Sequence, residues 1–264
     1  MTVLHDLVIF RDAQPAGSTN ASICSALLSN LDAIRSMTID EAAERCFTSP
    51  ASLSRMVRAM GYQGYADFRT QLDRDTRDYF FANRVMPRIP DQSFHPGEEY
   101  FNQLETLLHT FRAELDLEIF PEIAAQMAAS RRVAIYVGPV QEAAAVQLQV
   151  DLAMGGVDSA LRRTPADQAA DLALLDSRCF VILAYQSGTA SGLTFTELLS
   201  AIREKGARLL LLAPEGAQLP TGSADYLLRF PSTGTAMDHF LYQIFFSLLT
   251  LTYRTSFLDR PFRP

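Results

Sequence analysis

The chain has 264 residues, 48% of them hydrophobic and 20% charged, which is enough for about two domains with real cores and excludes a disordered chain. Its 23 basic and 30 acidic side chains give a formal charge of −7, which excludes a uniformly basic nucleic-acid coat. The charge is unevenly spread: residues 1–88 carry 10 arginines and 10 acids, while Arg45–Arg88 alone holds eight arginines against Asp67, Asp73, Asp75 and Asp78. A local basic excess at the front of an acidic chain fits a nucleic-acid-binding module joined to something else, or an ordinary arginine-rich helical surface.

In chain order, the first 80 or so residues read as helices, and Met1–Gly17 match no usable pattern. Ile23, Leu27, Leu31 and Ile34 step by four, four and three, which predicts one apolar helical stripe. A second helix begins at Thr38, because Thr38-Ile39-Asp40-Glu41 has the form of a capping box. After the short stretch Cys46-Phe47-Thr48, Ser49 caps a third helix with Pro50 at its first position and Gly61 just past its end. A fourth helix starts near Tyr65. Asp91–Gly97 hold turn formers and mark a boundary, followed by a linking helix over roughly Glu98–Leu117 and another restarted by Pro121. From Arg131 onward, short apolar runs appear at Val133–Val137, Val157–Leu161, Cys179–Tyr185, Leu209–Ala213 and Tyr226–Phe230. Helical stretches separate most of them, the pattern of a parallel sheet covered by helices. The expected division is therefore 1–90 as an all-helical domain, 91–122 as a linker helix region and 123–264 as an α/β domain with a five-stranded parallel sheet.

No stretch reaches the roughly 20 apolar residues that cross a bilayer. The longest candidate, Phe240–Tyr253, is interrupted by Gln243, Ser247 and two threonines and reads as a buried helix. No basic segment followed by an apolar run opens the chain, so no secretory signal is expected. Cys24, Cys46 and Cys179 form no C-x-x-C pair and sit among apolar neighbours, as small core residues do in a reducing cytoplasm, where the protein is expected to reside.

On a helical wheel the third helix places Leu53, Met56, Val57 and Met60 on one face, and Ala51, Arg55 and Arg58 on the other with Ser52 and Ser54 flanking. Such a helix, following a capped helix across a three-residue turn, fits a helix-turn-helix. Small residues at its start let the backbone approach a major groove, Arg55 suits guanine or a phosphate, and the free N–H groups beside Ser49 suit a phosphate. A plain helical bundle with a solvated arginine face is the competing reading. Met37–Phe68 closely resembles the N-terminal module of the RpiR (MurR) family of bacterial transcription regulators. It supplies Thr38-Ile39, Ala43, Ser49-x-x-Ser52-x-x-Arg55 and Met60-Gly61-Tyr62-x-Gly64-Tyr65-x-x-Phe68. The resemblance implies DNA contacts at Ser49, Ser52 and Arg55, with Tyr65 and Phe68 packing the last helix; Ala51 and Arg58 complete the candidate face. Double-stranded operator DNA is the implied partner.

The same family carries a C-terminal SIS (sugar isomerase) domain, which Arg131–Phe230 resembles in layout. Gly138 and the Ser187-Gly188-Thr189 turn each follow a strand and precede a helix, where helix N-termini and hydroxyls hold an anion. The resemblance implies a small-molecule effector, a sugar phosphate or related metabolite, at Gly138, Glu142, Ser187, Gly188, Thr189 and Ser191. Two departures stand out. Where the family reads Gly-x-Gly-x-Ser, this chain has Gly138-Pro139-Val140-Gln141-Glu142; where it reads Ser-x-Ser-Gly-x-Thr, this chain has Tyr185-Gln186-Ser187-Gly188-Thr189-Ala190. A carboxylate at Glu142 opposes a phosphate unless it faces away or pairs with Arg162 or Arg163.

Catalytic groups are thin. His239 with Glu142 has the makings of a proton-transfer pair for a sugar isomerase, but His239 beside Asp238 reads first as a capping or interface residue. No metal-ligand cluster, nucleophile elbow or phosphate-binding glycine loop of the nucleotide type appears, so no catalytic residue, metal or cofactor is expected. Three function classes remain: a DNA-binding regulator of carbohydrate metabolism that senses a metabolite, a regulator whose degenerate SIS domain only assembles copies, and a sugar-phosphate isomerase. The apolar weight of Phe240–Tyr253 favours a homo-oligomer, dimer or tetramer, with no membrane partner.

Overall fold

The structure, a computed structural model, describes residues 3–77, 85–86, 95–185, 189–190 and 193–258. The chain forms two compact units, Met1–Asn83 and Arg84–Pro264.

The described part of the front unit is helical: α1 (Val3–Asp12), α2 (Thr19–Leu28), α3 (Leu31–Ile34), α4 (Ile39–Arg45), α5 (Pro50–Ala59) and α6 (Tyr65–Arg77). The stripe predicted as a single helix is divided between two. Ser29 and Asn30 turn the chain after α2, and the Asn30 side-chain amide donates to the Ala26 carbonyl at 2.7 Å, which satisfies the last turn of α2. Ile23, Leu27 and Ile34 still reach one core because the turn is short enough to keep their phase. The first 17 residues, which no sequence pattern illuminated, contribute α1, and its Val3 and Leu7 are buried with α2 and α6. Tyr62 donates a 2.7 Å hydrogen bond to Asp6, fixing α1 to the loop before α6, and burial pushes the Asp6 carboxyl above the ordinary aspartate range.

The second unit begins, among described segments longer than two residues, with α7 (Pro96–Glu114) and α8 (Phe120–Ala129). Both belong to its core: Leu107, Phe111, Phe120 and Ile123 are buried with the sheet residues. The sheet follows as β1 (Arg132–Tyr136), β2 (Asp158–Arg162), β3 (Cys179–Ala184), β6 (Arg208–Pro214) and β7 (Tyr226–Phe230), all parallel, in the order β2-β1-β3-β6-β7. The connections are α9 (Pro139–Met154), α10 (Pro165–Asp171) with a 3₁₀ turn at Leu172–Leu174, and α11 (Phe195–Glu204); α12 (Asp238–Tyr253) closes the unit. A two-stranded hairpin, β4 (Thr189–Ala190) with β5 (Leu193–Thr194), lies between β3 and α11 and was not foreseen.

The three central strands, β1, β3 and β6, read as nearly unbroken apolar runs because both faces of the sheet are covered there, whereas the edge strands β2 and β7 are partly exposed. Val133, Ile135, Phe180, Ile182, Leu210 and Leu212 face α7, α8, α9 and α12, while Ala134, Tyr136, Val181, Leu183, Leu209 and Leu211 face α11. Strand order reverses beside β1, whose neighbours β2 and β3 are reached in opposite directions. The crevice at the carboxyl ends of β1 and β3 is the switch point of the sheet, where ligands enter folds of this type. All three cysteines are free and buried, and burial pushes the Cys24 thiol up to about 11, as befits core residues. No helix among the described residues is long and apolar enough to cross a membrane.

Candidate functional site

In the front unit, α4 and α5 are each started by the residues that the sequence marked. Thr38 and Glu41 close a capping box: the Thr38 hydroxyl accepts from the Glu41 amide at 3.4 Å, and Glu41 accepts from the Thr38 amide at 2.7 Å. That hydrogen bond from the Thr38 backbone holds the Glu41 carboxyl below its ordinary range. Ser49 caps α5 by accepting from the Ser52 amide at 3.2 Å, with Pro50 in the first turn. Leu53, Met56 and Val57 are buried and bind α5 to the unit, while Met60 is only partly buried. Tyr65 and Phe68 are buried at the start of α6, in the packing role the sequence implied.

The other face of α5 is bare. Ala51, Arg55 and Arg58 are exposed and Ser52 and Ser54 half-buried. Ser49 donates to the Ser52 hydroxyl at 3.0 Å, and Arg55 donates to the same oxygen at 3.1 Å, so a hydroxyl chain runs from the cap to the guanidinium. Among the described residues no carboxylate forms an ion pair with Arg55 or Arg58, unlike Arg77, which is paired with Asp73. Free N–H groups, two hydroxyls and two unneutralised guanidinium groups on one helix face form a surface for an anion lattice such as a phosphate backbone.

In the sheet unit, Gly138 follows β1 and caps α9, with no side chain to satisfy the helix amides. A Cβ there would fall 2.9 Å from the Gln141 side-chain oxygen, which a rotation of that flexible side chain would relieve, so the close contact does not by itself demand glycine. Glu142 lies in the first turn of α9, half-buried, and accepts a hydrogen bond from Arg163 at 3.1 Å. The carboxylate that stood against phosphate binding is thus neutralised by one of the two arginines named as its partner. The other, Arg162, donates to Asp171 at 3.0 Å. Of the remaining predicted ligand residues, Ser187, Gly188 and Ser191 lie outside the described residues, and Thr189 is described only as a strand residue paired with Thr194.

Sequence reading missed the ionic cluster beneath this edge of the sheet. Asp171, almost wholly buried, accepts from Arg132 at 2.8 Å, Arg162 at 3.0 Å and the Tyr136 hydroxyl at 3.0 Å. Burial pushes its carboxyl upward, but these hydrogen bonds and charges draw it further down, below the ordinary aspartate range. A cleft of about 860 Å³ runs along β2, bounded by Glu142 and Arg163 at one end and by Arg132 and Asp158 at the other. The participants are 9 to 39 residues apart in sequence, and the parallel register of β1 with β2, together with the packing of α10 on β2, brings them together. His239 lies against Phe240, ring centroids 4.3 Å apart, at the start of α12. Its neighbour Asp238 accepts from Ser232, Thr233 and Gly234, pinning the loop before the helix. No cluster fit to hold a metal occurs among the described residues.

Residues 11–78, which span α2 to α6, match the profile described as the helix-turn-helix domain, rpiR family. No curated protein matches the chain significantly. Among solved structures, the chain is similar to the Vibrio vulnificus NanR protein complexed with ManNAc-6P, at 14% identity over 97% of this chain and 92% of that one, with a TM-score of 0.53. It is also similar to the sugar isomerase domain of an RpiR transcription factor from Sphaerobacter thermophilus, at 15% identity over 61% of this chain and 90% of that one, with a TM-score of 0.48. At such identity the first likeness shows a shared fold, a helical front followed by a parallel-sheet domain.

Proposed function

Since the front unit is a helix-turn-helix domain of the rpiR family, we propose that the protein is a cytoplasmic, DNA-binding transcriptional regulator of carbohydrate metabolism whose sheet unit senses a sugar phosphate. The observation that carries the reading is the bare face of α5, with its Ser49–Ser52–Arg55 chain and two arginines that have no carboxylate partner among the described residues. In this reading α5 enters the major groove. Ala51 allows close approach, Ser49 and Ser52 hold phosphates, Arg55 reaches a base edge and Arg58 a phosphate. Two copies bind successive grooves of a near-palindromic operator, with half-sites about 10 base pairs or a multiple apart. The exposed apolar positions Val146, Val150 and Met154 along α9 support such pairing, and sedimentation at micromolar concentration tests it.

The effector end is the switch point of the sheet, where the bare N-terminus of α9 at Gly138 is available to a phosphate. The similarly folded NanR protein is complexed with ManNAc-6P, and a phosphorylated sugar is the class proposed here. Glu142 is compatible with it because Arg163 neutralises the carboxylate. Regulation rather than isomerisation is favoured because residues 11–78 match a regulator's helix-turn-helix profile, a module that an isomerase does not use. Thermal melting of the whole chain with sugar phosphates and the corresponding free sugars tests the effector. A ligand at about 100 times its Kd stabilises its unit by about 2.7 kcal/mol. Glu142→Gln is expected to enlarge the shift given by a phosphate and leave that of a free sugar unchanged. No shift with any compound favours the second reading, a sheet unit that only assembles copies.

A further inference from the structure

The turn between α4 and α5 contains a residue that the fold does not explain. Thr48 donates to the Ala43 carbonyl at 2.9 Å and Phe47 to the Glu44 carbonyl at 3.0 Å, the paired bonds of a Schellman ending of α4. Its left-handed position is Phe47, with φ +52°. Every other left-handed residue described in this chain is glycine, including Gly61 after α5 and Gly206 after α11. A bulky side chain at such a φ is a true outlier, and glycine would make the same turn without strain. Nor does the core use the ring: Phe47 is 97% exposed, more than any other large apolar side chain described.

A strained residue that buries nothing in its own unit points to a role outside it. Phe47 stands two residues before Ser49, the cap of α5, in the short turn that leads directly into the helix whose exposed face carries Ala51 and Arg55. Resting on the reading of α5 as the groove-entering helix, we infer that Phe47 is an apolar contact to duplex DNA, laid against a thymine methyl or a deoxyribose beside the groove. Phenylalanine is suited to both, since the methyl group and the C–H face of the sugar are apolar and each loses water when covered. The turn gives up stability for this contact, so stability and affinity should respond in opposite directions to one substitution, which a purely structural residue would not show.

Phe47→Gly in the whole chain separates the possibilities, compared with wild type and Arg55→Ala on duplexes selected by the wild-type protein. The glycine variant is expected to melt higher by about 4–8 °C in the front-unit transition. It is expected to bind the selected duplex about tenfold more weakly, with its sedimentation unchanged. A glycine variant that binds the duplex as tightly as wild type overturns the inference. So does one whose altered affinity tracks a loss of assembled copies, which would make Phe47 a contact between chains. In either case Arg55→Ala still weakens binding if the α5 reading holds, whereas a wild-type chain that retains no duplex removes both ideas together.

Discussion

The two units place their chemistry at different distances along the chain. In the front unit every candidate DNA contact lies on twelve consecutive residues, Phe47 to Arg58, and the cap that presents them is equally local. In the sheet unit the decisive pairs are Glu142 with Arg163, and Arg132 with Asp171, separated by 21 and 39 residues. A helix-borne site is written in spacing, whereas a site at the edge of a parallel sheet is assembled by crossovers and register. The contrast has energetic consequences, because the helix face is solvated while the sheet cluster includes charges removed from water.

The largest expected effect comes from that cluster. Asp171→Ala leaves Arg132, which is 5% exposed, with a buried charge stripped of its main partner, and should cost the sheet unit about 3–5 kcal/mol. Denaturant melting that shows under 1 kcal/mol would mean water reaches Arg132 and the cluster is no more than a surface pair. The same carboxylate sets a pH dependence. Because the native pKa of Asp171 is depressed, its contribution is complete above the ordinary aspartate range, about pH 4, and is lost as pH falls through the lower native value. In the front unit half-buried Asp6 has the opposite sign: its pKa is raised, so falling pH through that raised value relieves the desolvated charge and adds stability. Acid titration of the two melting transitions should therefore show these two contributions diverging.

The next effect is on recognition. Arg55→Ala should weaken binding to a selected duplex by about 1–3 kcal/mol while affecting random duplexes much less, if its guanidinium reaches a base. An equal loss on both would reduce Arg55 to a phosphate contact. The smallest is local: Thr38→Ala removes one side of the capping box and should cost about 1 kcal/mol of front-unit stability, with no change in the sheet-unit transition.

Legibility in the sequence follows the same division. The capping box at Thr38–Glu41, the Ser49-Pro50 start and the Gly61 stop of α5 were readable because each is a short-range bargain between a side chain and its own backbone. The five parallel strands were readable as apolar runs, and their ends shifted by only a residue or so. What escaped was tertiary. Nothing in Val3–Asp12 announces a helix that completes a core, since its value lies in Val3 and Leu7 meeting α2 and α6. The break at Asn30 was hidden because a two-residue turn preserved the apolar rhythm on both sides. Arg163 was nameable as a partner for Glu142, but choosing it over Arg162 required knowing that Asp171 claims the latter. Phe47 looked like an ordinary turn residue, and the available clue was the lack of glycine where the end of α4 calls for one.

The central claim is that α5 reads duplex DNA, and selection from a pool of random-sequence duplexes by the intact protein tests it most directly. The expected result is enrichment of a near-palindromic pair of half-sites spaced by about 10 base pairs or a multiple, bound more weakly as salt rises. A pool that emerges without sequence enrichment, or that Arg55→Ala enriches as well as wild type does, would contradict it.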